Sequence, residues 1–339
     1  MPTFRTGEVI EILSERPGLQ RIRVAGVPRG DRAYCLTAVV GSVAPGDRVV
    51  LNTTAVELGL GTGGWHVVHW NLSRTELVQP GPDHVMKVRY TSVQIDAGTD
   101  ELRFPDLPES LTGAPVVACM VHSQVGVVAA AIKRSAPHLR IGYVMTDGAA
   151  LPLALSDLVA ELHARSLIDT TVTAGHAFGG DLEAVTVPSG MLLARHVAEA
   201  DVLIVGMGPG VVGTGTKFGT SAIEAAAILD AAEVMGGEPV LCVRASSGDP
   251  RPRHQGVSHH TATVLDLAGC RPWVAPIPPE LASSNRVRVR PVGPIDAVAL
   301  LTGLGLTIQT MGRGPGDDPL FFDAAAAAGL VAVDLVEHP

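Results

Sequence analysis

The densest run of chemically capable side chains is Arg251-Pro-Arg-His254-Gln-Gly-Val-Ser-His259-His260-Thr261. Ser258 has the hydroxyl that caps a helix, and the apolar run Thr261–Ala268 reads as that helix, with His259 and His260 in its first turn. Neighbouring side chains on a helix diverge by about 100°, so one imidazole of the pair suffices to face a ligand. A helix N-terminus disfavours the charged ring. Neutral imidazole is the form that a general base or a metal ligand needs. His254, His259 and His260 are therefore candidate catalytic residues.

A second cluster, Gly175-His176-Ala-Phe-Gly-Gly-Asp181-Leu-Glu183, sets an imidazole and two carboxylates among glycines that permit close backbone approach. His176 joins the catalytic candidates. His176, Asp181 and His259, with His254 or His260, would give a divalent metal mixed nitrogen and oxygen donors. No thiolate lies nearby and the helical signature His-Glu-x-x-His is absent. The competing reading is that these groups only hydrogen-bond between loops, whose backbone must be satisfied in any case.

Gly206–Thr216 is a long glycine loop containing G-x-G-x-x-G as Gly208, Gly210 and Gly213. No acidic residue closes a second strand ~20 residues on, as dinucleotide binding requires, and Gly-Lys-Ser/Thr is missing. What remains is a set of backbone N–H groups with Thr214 and Thr216, suited to an anion; a turn that merely permits close packing is the alternative. His122, Asp147, Ser247 and Asp249 also stand where apolar runs end, and are candidate ligand contacts. Ser123 reads as a helix cap, because the G-x-S-x-G elbow is absent. Thr310–Asp318, a second glycine loop with Arg313, would complete the same pocket.

These clusters share one position: each follows a strand-like run, namely 116–121, 141–145, 170–174, 202–205 and 240–244. Helix-like stretches 124–135, 153–165, 187–199, 220–235 and 261–268 follow in turn. Such alternation builds right-handed βαβ units and a parallel sheet, whose carboxyl edge binds ligands. The expected fold is α/β, with a Rossmann-like parallel sheet domain at 114–339. It ends in a helix Pro319–Ala328 and a strand Leu330–Val336.

Residues 1–100 read instead as a small β-barrel-like domain. Its strands are expected at Glu8–Leu13, Gln20–Val24, Ala33–Val40, Asp47–Leu51, Trp65–Trp70 and Met86–Val93. Gly59–Gly64 would be a flexible loop, and 101–113 a linker.

Composition excludes several classes. With 46% apolar and 17% charged residues a sizeable core is available, and a net charge of −9 argues against a nucleic-acid partner. Arg286–Arg290 alternates as a strand with one basic face. The cysteines (35, 119, 242 and 270) show no C-x-x-C pair, which favours a reducing cytoplasm. The apolar runs at 116–132 and 186–205 are interrupted by polar residues, short of the ~18–20 needed for a membrane span. The first residues lack the apolar core of a secretory signal. Apolar helices at 187–199 and 220–235 would serve a homo-oligomer or simply cover the sheet.

The stretches His84-Val-Met-Lys-Val-Arg-Tyr-Thr91, Gly61-Thr-Gly-Gly-Trp-His66, Gly175–Glu183 and Gly256-Val-Ser-His-His-Thr261 together resemble a bacterial domain-of-unknown-function family, the one numbered 3866. The resemblance spans nearly the whole chain and carries no established activity. It implies one architecture for both parts, with Lys87, Arg89 and Tyr90 brought towards the α/β domain.

The expected function is a cytoplasmic enzyme, of hydrolase or transferase type, acting on a small anionic substrate, phosphorylated or not. A divalent metal is an open alternative for the histidines. The rival readings are a non-catalytic small-ligand or nucleotide sensor acting through a protein partner, and a structural assembly subunit.

Overall fold

The computed structural model describes residues 2–60 and 63–339; Gly61 and Thr62, in the expected flexible loop and in one of the family stretches, lie outside the described residues. The chain divides into two compact units, Met1–Gly98 and Thr99–Pro339.

The first unit is a closed barrel in the order β1-β2-β3-β5-β4. Its strands are β1 (Phe4–Arg16), β2 (Leu19–Ala25), β3 (Arg32–Leu36), β4 (Arg48–Asn52) and β5 (Trp65–Asn71). Alternation closes it: Gln20, Ile22 and Val24 of β2 point inward, while Arg21 and Arg23 face out. Gln20 is tolerated inside because its amide holds Val43 through both N–H and C=O, at 2.8 and 3.3 Å. Short helices α1 (Thr37–Val40) and α2 (Thr54–Glu57) connect strands, so the strand expected at Ala33–Val40 stops at Leu36. Met86–Val93 is not a strand. Val88 and Tyr90 take positive φ (51° and 61°), which breaks extended pairing and leaves only a bridge from Lys87 to Ile95.

The second unit carries β6 (Pro115–Cys119), α3 (His122–Ser135), β7 (Ile141–Thr146), α4 (Asp157–Ala164), β8 (Thr170–Ala174) and β9 (Leu182–Ala184). There follow α5 (Val187–Leu192), β10 (Val202–Met207), α6 (Glu224–Val234), β11 (Glu238–Cys242), β12 (Ala245–Ser246) and β13 (Gly256–Val257). The chain ends with α7 (His259–Leu267), β14 (Trp273–Val274), β15 (Arg288–Val289), α8 (Ala297–Gly303) and α9 (Pro319–Glu337). Eight strands form a parallel sheet in the order β15-β14-β11-β6-β10-β7-β8-β9. Their near-continuous burial is what a sheet covered on both faces requires.

Helices α3, α4, α8 and α9 cover one face, and α5, α6 and α7 the other. From β6 the chain passes through α3 towards β7, whereas from β10 it passes through α6 the opposite way, to β11. The strand order therefore reverses between the neighbours β6 and β10. A crevice opens outside their carboxyl ends, as in other doubly wound sheets. Gln124 braces this region: its side-chain oxygen accepts from Met120 and Val121 N–H, at 2.9 and 3.2 Å. Its NH2 donates to the Cys242 and Val243 carbonyls, at 3.2 and 3.1 Å.

Two further expectations are corrected. Leu330–Val336 continues α9 as helix, because its apolar side chains bury against α3 and the sheet, and that packing outweighs the strand preference of valine. Residues 99–113 belong to the α/β unit. Leu111 N–H bonds to Met235 O, and Gly113 N–H to Gly236 O, both at 2.8 Å; Glu183 N–H bonds to Asp100 at 2.8 Å. Helix α9 is long and apolar enough to cross a membrane by composition alone, but 67% of its most apolar window is buried in the unit.

Close approach of α3 and α9 depends on Gly329, where a β-carbon would stand 2.7 Å from Val128 O and 3.0 Å from Ala131 Cβ. Gly329→Val should cost about 1–3 kcal/mol by overpacking, read as a lower urea midpoint with the m-value unchanged.

Candidate functional site

Beyond β11 the chain turns through Arg244 into β12, a loop, the 3-10 turn Pro252–His254, β13 and α7. Ser258 is the N-cap of α7, its Oγ accepting from His260 N–H at 3.2 Å, and it lies 2.7 Å from His254 Nδ1. This local chain folding gathers three rings: the His254, His259 and His260 centroids are separated by 4.2 to 5.0 Å. One ring nitrogen from each lies within 4.8 Å of the others.

Arg244 decides the protons. It is buried, and its Nη1 lies 2.8 Å from His260 Nδ1. A guanidinium has donors only, so His260 Nδ1 accepts and the proton of the neutral ring sits on Nε2. Burial, and then Arg244, push the His260 pKa down from 6.5 to about 3; burial and Arg244 likewise hold His254 at about 4. His259 is lowered too, by burial and by Arg253. All three rings are thus neutral at pH 7. Among the described residues neither Arg244 nor Arg253 forms an ion pair, and His259 Nε2 is buried without a hydrogen-bond partner. The lobe presents cations, an imidazole N–H and imidazole lone pairs.

Ser247 and Asp249 belong to this lobe but are committed to holding it. Asp249 pairs with Arg251 at 2.7 Å and with Arg313 at 3.1 Å, and the Arg251 bond keeps its carboxyl far below the usual range. Ser247 N–H, Ser246 Oγ and Gly248 N–H all donate to Asp318, which also pairs with Arg313. Both residues, expected from the sequence as ligand contacts, brace the loop in this structure.

At the crevice, His122 Nδ1 lies 3.1 Å from the Met207 carbonyl and Nε2 lies 2.7 Å from Ser156 Oγ. A carbonyl only accepts, so Nδ1 carries the proton and Nε2 accepts from Ser156, which in turn accepts from Val159 N–H at 3.0 Å. Burial lowers the His122 pKa to about 4. Both nitrogens are spent, so His122 is a strut between α3, β10 and the start of α4. Beside it lies a cavity of about 330 Å³, walled by His122, the first turns of α3 and α4, Pro209–Val211 and Thr307–Met311.

The glycine loop connects the two places. Gly208 is required for packing, since a β-carbon there would meet Ala150 O at 2.8 Å. Gly210 has φ 104° and borders the cavity. Gly213 bridges to Thr220, and the loop doubles back so that Thr214 N–H bonds to Gly219 O at 2.7 Å. Thr214 and Thr216 hydroxyls bond to each other at 2.9 Å, and the Gly215 β-position is 3.7 Å from the Arg253 guanidinium.

His176 and Asp181 do not join the histidine lobe. Three strands separate β8 from β11, a span of about 19 Å at the usual spacing. His176 N–H bonds to Asp147 at 2.9 Å, tying the carboxyl ends of β7 and β8. Asp181 accepts from Thr171 N–H and Oγ1, both at 2.8 Å, back along β8 towards its start. The metal set of His176, Asp181 and His259 is therefore not assembled; the converging nitrogens are those of the three lobe histidines. Two groups went unread in the sequence. Arg244 directly follows an apolar strand. Glu224, the first residue of α6, bonds to Thr146 Oγ1 at 2.7 Å, and burial raises its pKa to about 7.

A family model described as a protein of unknown function (DUF3866) matches residues 32–329. No curated protein matches the chain.

The lowered histidines link stability to pH. Unfolded imidazoles take up protons near 6.5, while His254 and His260 resist until about 4 and 3. The unfolded state then binds more protons, so stability falls as pH drops from about 6.5 towards 3. Arg244→Met should raise the His260 pKa and flatten that loss, read by imidazole NMR and by urea midpoints across the window.

Proposed function

This chain belongs to the DUF3866 family of proteins of unknown function, and we propose that it is an enzyme of hydrolase or transferase type acting on a small anionic, phosphorylated substrate. The observation that carries this reading is the Arg244–His260 hydrogen bond, which keeps a neutral N–H donor among cations. In this reading Arg244 and Arg253 hold the substrate oxyanion. His260 Nε2–H donates to charge developing on it, and His254 or His259 takes a proton as general base. The nearby first turn of α7 adds a positive potential. Burial of all four free cysteines supports a reducing, cytoplasmic setting.

One observation favours a second reading, a divalent metal held by the three histidines, whose nitrogens lie within 4.8 Å. For His260 to ligate through Nε2, its proton would have to move to Nδ1, against the Arg244 N–H. That conflict ranks the metal below the anion.

His259→Ala should lower turnover of a phosphate ester by about 100-fold or more with the urea midpoint held within experimental spread. Equal turnover in the variant would shift the base to His254, whereas ligand binding with no turnover in the unaltered chain would leave a binding module acting through a partner. Elemental analysis showing one zinc or manganese per chain, lost in His254→Ala, would favour the metal.

A further inference from the structure

The cavity at the crevice differs chemically from the histidine lobe. Its polar wall is Ser123, Asp157, Glu161, Thr307, Gln309 and Thr310, with no lysine or arginine among the lining residues. Asp157 and Glu161, one turn apart on α4, share a helix face. Such a wall repels an oxyanion and offers acceptors to hydroxyl hydrogens. Arg165 pairs with Glu161 at 2.7 Å, which moderates the negative charge and favours a neutral polyol over an amine.

The cavity and the lobe are joined through two short segments. Gly210 and Val211 line the cavity, while Gly215 of the same loop lies against Arg253. Thr310 lines it too, and is closed onto Arg313 by a pair of 2.9 Å backbone hydrogen bonds. Their Cα atoms are then about 5.5 Å apart. Arg313 reaches from there to Asp249 and Asp318 of the lobe. The Thr307–Met311 wall of the cavity is thereby tied, through Arg313, to the loop that carries Asp249.

We infer that the two places are subsites for one substrate, a phosphorylated polyol of the sugar-phosphate class. The phosphoryl group lodges at Arg244, Arg253 and the histidines, and the hydroxyl-bearing end enters the cavity against Asp157 and Gln309. The inference rests on the function proposed above. About 330 Å³ sits at the lower end of the size range of small-ligand sites, enough for one sugar-sized moiety.

Calorimetric titration of the full chain with inorganic phosphate, ribose 5-phosphate and phosphoethanolamine tests it. Ribose 5-phosphate should bind at least about 10-fold tighter than phosphate, as expected for hydroxyl bonds to a carboxylate. Asp157→Asn and Gln309→Ala should each reduce that margin. Phosphate binding with no gain from the sugar, or a gain that survives both substitutions, overturns the inference and leaves the proposed function standing. A gain for phosphoethanolamine alone overturns the polyol assignment. Failure of the unaltered chain to bind either phosphate or sugar phosphate overturns the proposed function itself.

Discussion

Arg244 brings several N–H donors and no acceptor into a buried corner at the end of β11, and one of those donors is aimed at His260 Nδ1. That single contact propagates. It places the remaining His260 proton on Nε2, and it makes a charged imidazolium there costly. With burial, it holds the neighbouring His254 neutral as well. The guanidinium itself is held down to about 10 by burial, a cost that surrounding structure must offset. Thr261 fixes the backbone that carries it, its Oγ1 accepting from Arg244 N–H at 3.0 Å and donating to the Arg244 carbonyl at 2.8 Å.

The sheet supplies the framework for that corner. Parallel strands buried on both faces bring every loop that follows them to one edge. Reversal of strand order between β6 and β10 leaves room there that covering helices do not fill. The same arrangement absorbs polar groups for structural ends. Asp318, Asp147 and Asp181 each accept backbone N–H bonds, which is how crowded turns satisfy donors that helices and strands leave unpaired.

Much of this was legible in the sequence, for identifiable reasons. Buried parallel strands read as short apolar runs, and the glycines and polar residues ending them mark the loops. The histidine lobe was legible because Arg251–Thr261 is contiguous and because a serine stands at the helix start. Distant pairings were not legible. His176 and Asp181 share one loop, yet the loop returns along β8, which sends the carboxylate back to Thr171. Arg244 and Glu224 lie inside runs whose pattern only reports a strand or a helix; their partners come from other elements. Helix α9 was misread at its end because Leu330–Val336 is equally apolar on both patterns, and Gly329 under α3 is visible only in three dimensions.

Gln124, fully buried in α3, uses its entire amide to hold the roots of two loops that lie far apart in the chain. Its oxygen fastens the backbone leading to His122, and its nitrogen fastens the backbone leading to Arg244. Neither root can shift without breaking bonds that anchor the other, so the two loops share a common foundation. Glutamine suits this post as no similar residue does: glutamate would lack the donors, and a hydrocarbon of equal length would leave four peptide groups unanswered.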